Sequence, residues 1–416
     1  MKKSIQILFI LLFTQFLISC GDNPFATDPV DVIKKGEIVE IISEKEITLA
    51  ELESTFSEFL GSEGVTINLR NGIKVYSAIY RTVDYNGNST DASGLFVVPI
   101  KSGPFPLISL HHGTQSKRDN VGSINALSSF DALLAGGLGY VALSPDMLGL
   151  GYSTLVHPYH IADVNSNTVI DFIRAVKKYL VDNNVSLNEQ LFLAGYSQGG
   201  YTTMAVHKKM QEGLSSEFSV TASAPMAGAH DLLGTAKFVV ENDNYDRPSF
   251  LAFLTYAYSK VYGWNNLSQF FKHPYENLIP TLFNGTLTTD EIDGALPNKL
   301  SDLFNQSFLS GIKNESEEII TNALEENSLL NWAPQSPVLI VHGDADTYVP
   351  YQNALTAKAS WEANGAPNVE LITIHGGGHI SSIIPAILQA VAWLETFRTD
   401  IPIANNYSDV LFQKSF

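Results

Sequence analysis

The stretch Leu191-Phe-Leu-Ala-Gly-Tyr-Ser-Gln-Gly-Gly200 decides how this chain is read. Residues 191–194 form a short apolar run that ends in glycine, the pattern of a buried strand. Residues 202–210 continue with helical character, so Ser197 occupies the apex of a sharp strand-to-helix turn. A hydroxyl that must stand clear of a strand end needs a strained turn, where a Cβ on either flank would meet backbone. Glycine at 195 and at 199 removes both Cβ atoms. Gly-x-Ser-x-Gly alone arises by chance in roughly one chain in ten of this length, and a glycine-rich helix start with a capping serine is the bland alternative. The strand before it and the helix after it favour a nucleophile.

Working outward, residues 72–83 alternate apolar and polar side chains, 92–99 form an apolar run, and Asn86-Gly87-Asn88 marks a turn between them. This predicts an antiparallel pair. From Pro106 the pattern changes to buried strands alternating with helices, the signature of a parallel sheet. The strands are 106–110, 139–144, the stretch before Ser197, and 220–226. A helix with Val169, Phe172, Ile173, Val176 and Leu180 on one face falls among them. From 230 to 334 the rhythm breaks into a stretch rich in aromatics, including Phe250, Phe253, Tyr256, Tyr258 and Trp264. It reads as a helical cap inserted between two sheet strands, its aromatics more often core than pocket. Strands at 337–341 and 369–374 then resume, with helices at 353–361 and 380–397.

Strand ends carry the remaining candidates. Acyl transfer builds negative charge on a carbonyl oxygen, which needs backbone N–H groups already aimed at it. One donor is the residue after the serine, Gln198; the other comes from the loop His111-His112-Gly113-Thr114-Gln115, where Thr114 is preferred over Gly113 or Gln115. Two surface histidines on a plain turn are the alternative. Downstream, the run His342-Gly343-Asp344-Ala345-Asp346 follows a strand and offers a carboxylate to orient an imidazole. Asp346 is preferred, with Asp344 and then Asp231 behind it, although both aspartates of the run could merely cap the next helix. His375-Gly-Gly-Gly-His379 supplies the base on a flexible turn, with His379 favoured and His375 read as structural. The order Ser197, Asp346, His379 is the one this architecture requires. Asp146 reads as a loop-shaping residue, and the segment His157-Pro158-Tyr159 carries no clear role.

Gly-Tyr-Ser-Gln-Gly-Gly, His-His-Gly-Thr, Ser-Pro-Asp-x-x-Gly-x-Gly and the late His-Gly-Asp-x-Asp resemble the α/β-hydrolase-fold serine esterases and lipases, and within them the secretory lipases related to fungal lipase A. The resemblance covers residues 72–397. It implies a mostly parallel central sheet flanked by helices, hydrolysis of carboxylic esters through an acyl-enzyme, and no cofactor or metal. The aromatic insertion departs from any lid that can be aligned to it, which leaves substrate size open. A prolyl-oligopeptidase-like peptidase would share the triad but would carry a long propeller domain, for which the stretch before residue 72 is too short. A non-enzymatic surface lipoprotein would not be expected to keep Ser, Asp and His together.

The N-terminus, Met1-Lys-Lys-Ser, leads into an apolar run over 5–18 and then Leu17-Ile-Ser-Cys-Gly21. The run is too short for a comfortable membrane span. It resembles a bacterial lipoprotein signal in which Cys20 becomes the acylated N-terminus; an ordinary secretory signal is the alternative. Cys20 is the single cysteine of the 416 residues, which excludes a disulfide framework and a cysteine-based metal site. The expected product is an exported, membrane-anchored protein of the bacterial cell envelope. A formal charge of −18 argues against nucleic-acid binding. The expected organisation is a signal at 1–19, a tether and extension at 20–66, a hydrolase core at 67–229 and 335–400, a cap at 230–334 and a tail at 401–416. Oligomeric state is not legible.

Overall fold

A computed structural model of the chain describes residues 34–61, 65–400 and 412–414. The signal-like segment, Cys20 and the start of the tether lie outside them, as does most of the tail. In chain order the elements begin with β1 (Ile38–Ile47), α1 (Leu49–Leu60), β2 (Val65–Ile67), β3 (Ile73–Val83), β4 (Ser89–Pro99) and β5 (Phe105–His111). They continue with α2 (Phe130–Gly137), β6 (Val141–Pro145), α3 (Ala162–Asp182), β7 (Leu187–Tyr196), α4 (Gln198–Gly213) and β8 (Ala222–Met226). Seven helices follow before the sheet resumes: α5 (Leu232–Glu241), α6 (Pro248–Val261), α7 (Tyr275–Leu282), α8 (Thr289–Ala295), α9 (Leu300–Leu303), α10 (Gln306–Lys313) and α11 (Glu318–Asn327). Then come β9 (Val338–Gly343), α12 (Gln352–Ala363), β10 (Val369–Ile374), α13 (Ile383–Glu395) and β11 (Phe412–Lys414).

Nine strands form one sheet in the order β1-β3-β4-β6-β5-β7-β8-β9-β10. The first three and the β4–β6 contact are antiparallel; from β6 to β10 every pairing is parallel. Burial explains the pattern. Every residue of β5, β6, β8 and β9 is buried, as expected of strands covered on both faces. Alternation then sorts side chains between two cores. Leu107, Leu191 and Leu193 pack with α3, α4 and the inserted helices, while Ile108, Phe192 and Ala194 pack with α1, α2 and α13. The predicted α3 face is fully buried, each of its five residues at 0% exposure.

Chain direction decides where a site can form. From β5 the chain moves to β6 on one side, and the next strand, β7, lies on the other side of β5. The crevice beyond the carboxyl ends of β5 and β7 is therefore a topological switch point, where open α/β sheets bind ligands.

Two boundaries differ from the sequence reading. Residues 38–43, read as part of a tether, belong to β1 and pair with β3. This edge strand is mostly half-exposed or exposed, so its polar residues hide the alternation that reveals buried strands. The closing helix starts at Ile383 rather than 380, because Gly378 and Ser381 close a turn there first. The inserted aromatics are chiefly core, as expected: Phe253, Tyr256, Tyr258, Phe270 and Phe271 are buried, and Phe253 stacks between Tyr159 and Phe283 at 4.8 and 4.7 Å.

Burial also sets an acid limit. It pushes His111, His160, His207 and His230 down to about 3 and His157 down to about 4. These rings are neutral in the folded chain at pH 5 but mostly charged in the unfolded one. Stability contributed by such a depressed histidine is complete above the unfolded pKa of about 6.5 and is lost as pH falls toward the folded value. Asp131 and Asp146, raised by burial, work in the opposite sense. Unfolding near pH 5 should therefore take up a net of about three to five protons from these groups. Denaturant titrations at pH 7, 6 and 5 measure this; pH-independent stability across that range would contradict it.

Candidate active site

Ser197 connects β7 to α4 with φ +59° and ψ −119°, a backbone conformation costly for a residue with a side chain, on the order of 1–3 kcal/mol. Its N–H donates to the Met226 carbonyl at 2.8 Å, which holds the turn to the end of β8. Glycine is required on the far flank, since a Cβ on Gly199 would come within 1.8 Å of the His111 carbonyl oxygen. A Cβ on Gly195 would lie 2.5 Å from the Gly199 carbonyl. The turn is thus packed against the end of β5 with no space for another atom.

Three sequence candidates meet at this turn. His379 Nε2 lies 2.8 Å from Ser197 Oγ, and His379 Nδ1 lies 2.6 Å from Asp346 Oδ2. With the carboxylate accepting from Nδ1–H, Nε2 is left free to accept the serine proton. The His379 carbonyl accepts from Tyr196 Oη at 2.6 Å, and its ring packs beside those of Tyr348 and Tyr196. Asp346 is held from its other oxygen, where Oδ1 accepts from the Tyr348 and Val349 N–H groups at 2.8 and 3.0 Å. Burial raises this carboxyl's pKa, but hydrogen bonds from His342 and His379 outweigh it and leave the group ionised well below the usual carboxylate range.

The fallback residues are elsewhere. Asp344 is bonded to His375 Nδ1 at 2.8 Å and to the Gly376 N–H at 2.7 Å on the surface. Asp231 caps α5 through the Gly234 N–H at 2.8 Å. Asp146 shapes a loop as expected, bonded to Ser93 Oγ at 2.6 Å and the Ser123 N–H at 3.2 Å.

Gln198 opens α4, so its N–H precedes the first intrahelical bond. Among the described residues the Thr114 N–H has no hydrogen-bond acceptor. Both residues flank the serine, and Gly113 beside Thr114 is close enough that its Cβ would sit 3.8 Å from Ser197 Cβ. Thr114 lines the cleft in front of Ser197. A cleft of about 390 Å³ opens in front, lined by His112, Thr114, Ser197 and His379 from the core and by Arg247 and Phe250 from the insertion. Among the described residues no group of histidine, cysteine and carboxylate side chains is arranged to hold a metal.

Three contributors were not foreseen. His157 accepts from the Gln198 amide at Nε2, 2.6 Å away, and fixes its own tautomer by donating from Nδ1 to the Leu148 carbonyl at 2.7 Å. His342 Nε2 lies 3.3 Å from Asp346 Oδ2 and 2.9 Å from the Val349 carbonyl, four residues before the aspartate in a run already singled out. Arg247 donates to Tyr348 Oη at 3.0 Å and lies over that ring, and its guanidinium also meets Asp290 and Asp293. Its contact with Tyr348 spans 101 residues, so no local pattern announces it.

A serine on this strained turn, at the switch point of this sheet, defines an α/β-hydrolase, and the chain is a carboxylic ester hydrolase. It belongs to the secretory lipase family, whose model matches residues 125–404. Lipase 1 of Candida albicans is 22% identical over 89% of this chain and 78% of its own length. The rice cell wall degrading esterase LipA of Xanthomonas oryzae superposes with a TM-score of 0.80 at 26% identity, covering 88% of this chain and all of that one. Candida antarctica lipase A, at 15% identity and a TM-score of 0.66 over 93% of this chain and 88% of its own, shares the fold. Family membership sets aside the peptidase and non-enzymatic readings.

The packing predicts opposite outcomes for two glycines. Gly199→Ala should lose the folded site, because its Cβ would strike backbone at 1.8 Å. Gly113→Ala should melt like wild type, since its nearest contact, Tyr196 O, is 3.6 Å away. Thermal melts beside an ester assay distinguish them, and a normal Gly199→Ala would refute the packing argument.

Proposed function

We propose that this esterase works through Ser197, His379 and Asp346 by way of an acyl-enzyme. The observation that carries the reading is the unbroken chain from Ser197 Oγ through the His379 ring to Asp346, whose second oxygen is held by two N–H groups. His379 Nε2 takes the serine proton as Oγ attacks the ester carbonyl, and Asp346 stabilises the imidazolium. The N–H groups of Gln198 and Thr114 receive the charge on the carbonyl oxygen, a contribution of about 10²–10³ in rate per donor. His379 returns the proton to the departing alcohol, and water then releases the acid by the same steps.

The cap assigned to residues 230–334 supplies one wall of the cleft through Arg247, Phe250, Thr289 and Asp290. Phe250 and Tyr348 also line a separate cavity of about 60 Å³, bordered by Leu251 and Leu254. We assign the acyl group to that smaller space, which would admit a short alkyl group, and so propose that short acyl groups are preferred. Across p-nitrophenyl esters from acetate to palmitate, activity should peak between acetate and butyrate. Ser197→Ala should remove it, and Asp346→Asn should lower kcat by roughly 10⁴. A peak at palmitate would overturn the short-acyl reading, and an active Ser197→Ala would overturn the mechanism.

The family suggests an exported protein, and the finer proposal is that Cys20 carries acyl chains holding it to a bacterial membrane surface. No helix among the described residues is long and apolar enough to cross a membrane. Cys20→Ser should abolish incorporation of labelled palmitate and move the protein from the detergent to the aqueous phase on partitioning. Unchanged labelling would rule the anchor out.

A further inference from the structure

Tyr348 touches both of the groups that serve Ser197. Its N–H donates to Asp346 Oδ1 at 2.8 Å, and its ring lies against that of His379 with centroids 5.1 Å apart. The insertion grips Tyr348 in turn from one short segment, residues 245–250, which leads into α6. Tyr245 Oη donates to the Tyr348 carbonyl at 3.3 Å, and Arg247 Nε donates to the Tyr348 hydroxyl at 3.0 Å. The Phe250 ring meets the Tyr348 ring edge-on, 5.8 Å between centroids. Backbone, hydroxyl and ring of one residue are thus held from the insertion, while its N–H and ring reach the acid and the base.

Arg247 is the centre of this grip. A guanidinium presents five N–H donors in a rigid plane, so one side chain can serve several acceptors at fixed spacing. Here Nε is on Tyr348, and Nη1 reaches Asp290 and also Asp293, the latter at 3.2 Å. Asp293 accepts from the Ser249 N–H as well, at 2.8 Å, which ties α8 to the first turn of α6. The contacts therefore run without a break from α8 through Arg247 and Tyr348 to Asp346 and His379. Lysine has a single nitrogen on a flexible stem and could not hold Tyr348 and both carboxylates at this spacing.

We propose that Arg247 is a positioning residue, acting through Tyr348, by which the insertion holds Asp346 and His379 in working alignment with Ser197. This rests on the roles given above to those three residues. The insertion then belongs to the catalytic apparatus and is more than a wall of the cleft. Release of the Tyr348 hydroxyl would free its N–H and ring to shift, and the imidazole with them. A displacement of about 1 Å in a reacting group can cost about 10²-fold in rate. Arg247 also lines the cleft, so the rival role is direct contact with substrate, which would register in KM.

The test is kcat and KM for p-nitrophenyl acetate on wild type, Arg247→Met, Arg247→Lys, Tyr348→Phe and a variant carrying both Arg247→Met and Tyr348→Phe. Rates are taken per serine titrated with a fluorophosphonate probe, so a loss of stability alone leaves kcat unchanged. Arg247→Met and Tyr348→Phe should each lower kcat roughly tenfold, with KM changed less than about twofold. The combined variant should lose no more than about twofold beyond either, because both substitutions break the same contact. Arg247→Lys keeps the charge without the fork and should lose nearly as much as Arg247→Met. Wild-type kcat in Arg247→Met, a loss confined to KM, a lysine variant equal to wild type, or losses that multiply in the combined variant would each overturn the proposal. Should Arg247→Met fail to fold, Tyr348→Phe decides, since it removes a single oxygen, and wild-type kcat there overturns the proposal too. Ser197→Ala, assayed per mole of protein, separates the levels. If it stays active, the reading of the whole site falls; if it is silent while Arg247→Met equals wild type, only the role of Arg247 falls.

Discussion

The structure depends on the contact between Gly199 and the His111 carbonyl, where the start of α4 presses against the end of β5 with no space for a Cβ. Parallel pairing of β5 and β7 sets His111 opposite Gly195 in register, so the turn after one strand and the loop after the other leave the sheet side by side. Ser197, Gln198 and Thr114 inherit their proximity from that register. None of them has to be brought together by a flexible element. The cost is local strain at Ser197, and the buried strands on either side provide the packing that sustains it.

Electrostatics at the site follow from burial answered by oriented donors. Asp346 has no exposed side-chain surface, and an isolated buried carboxylate would be costly. Two backbone N–H groups, His379 and His342 compensate it. A hydroxyl in place of either imidazole would leave part of that charge unanswered. The same reasoning explains why Asp344, two residues earlier and exposed beside His375, is an unsuitable partner despite similar sequence surroundings.

The architecture was legible because buried parallel strands print continuous apolar runs, and the glycines at 195 and 199 print a steric demand. The serine, aspartate and histidine follow because each stands at the end of such a strand. β1 escaped because an edge strand has little apolar face to show, and its residues read as a polar linker. His157 escaped for a different reason: its partner, Gln198, lies 41 positions away, and nothing in a His-Pro-Tyr segment specifies what its ring will touch. Arg247 is further still from Tyr348. Strand ends are local facts, whereas the side chains that orient them belong to the assembled fold.

Those orienting side chains are mostly histidines, and the reason is their two-ended chemistry. A neutral imidazole donates at one nitrogen and accepts at the other in a fixed plane, so it can join two elements while burying no charge. His111 joins β5 to α4 through Thr203, whose hydroxyl donates onward to the Gly199 carbonyl at 2.8 Å. His157 joins the loop after β6 to Gln198 in the same manner. Lysine or glutamate at either position would carry charge into a space that burial makes hostile to it. His112 faces two carbonyl oxygens, those of Gly113 and Asp146, and is only partly buried. The strand ends beside this cleft thus rest on buried, neutral linkers, and the position of each ring, more than its residue type, determines what it joins.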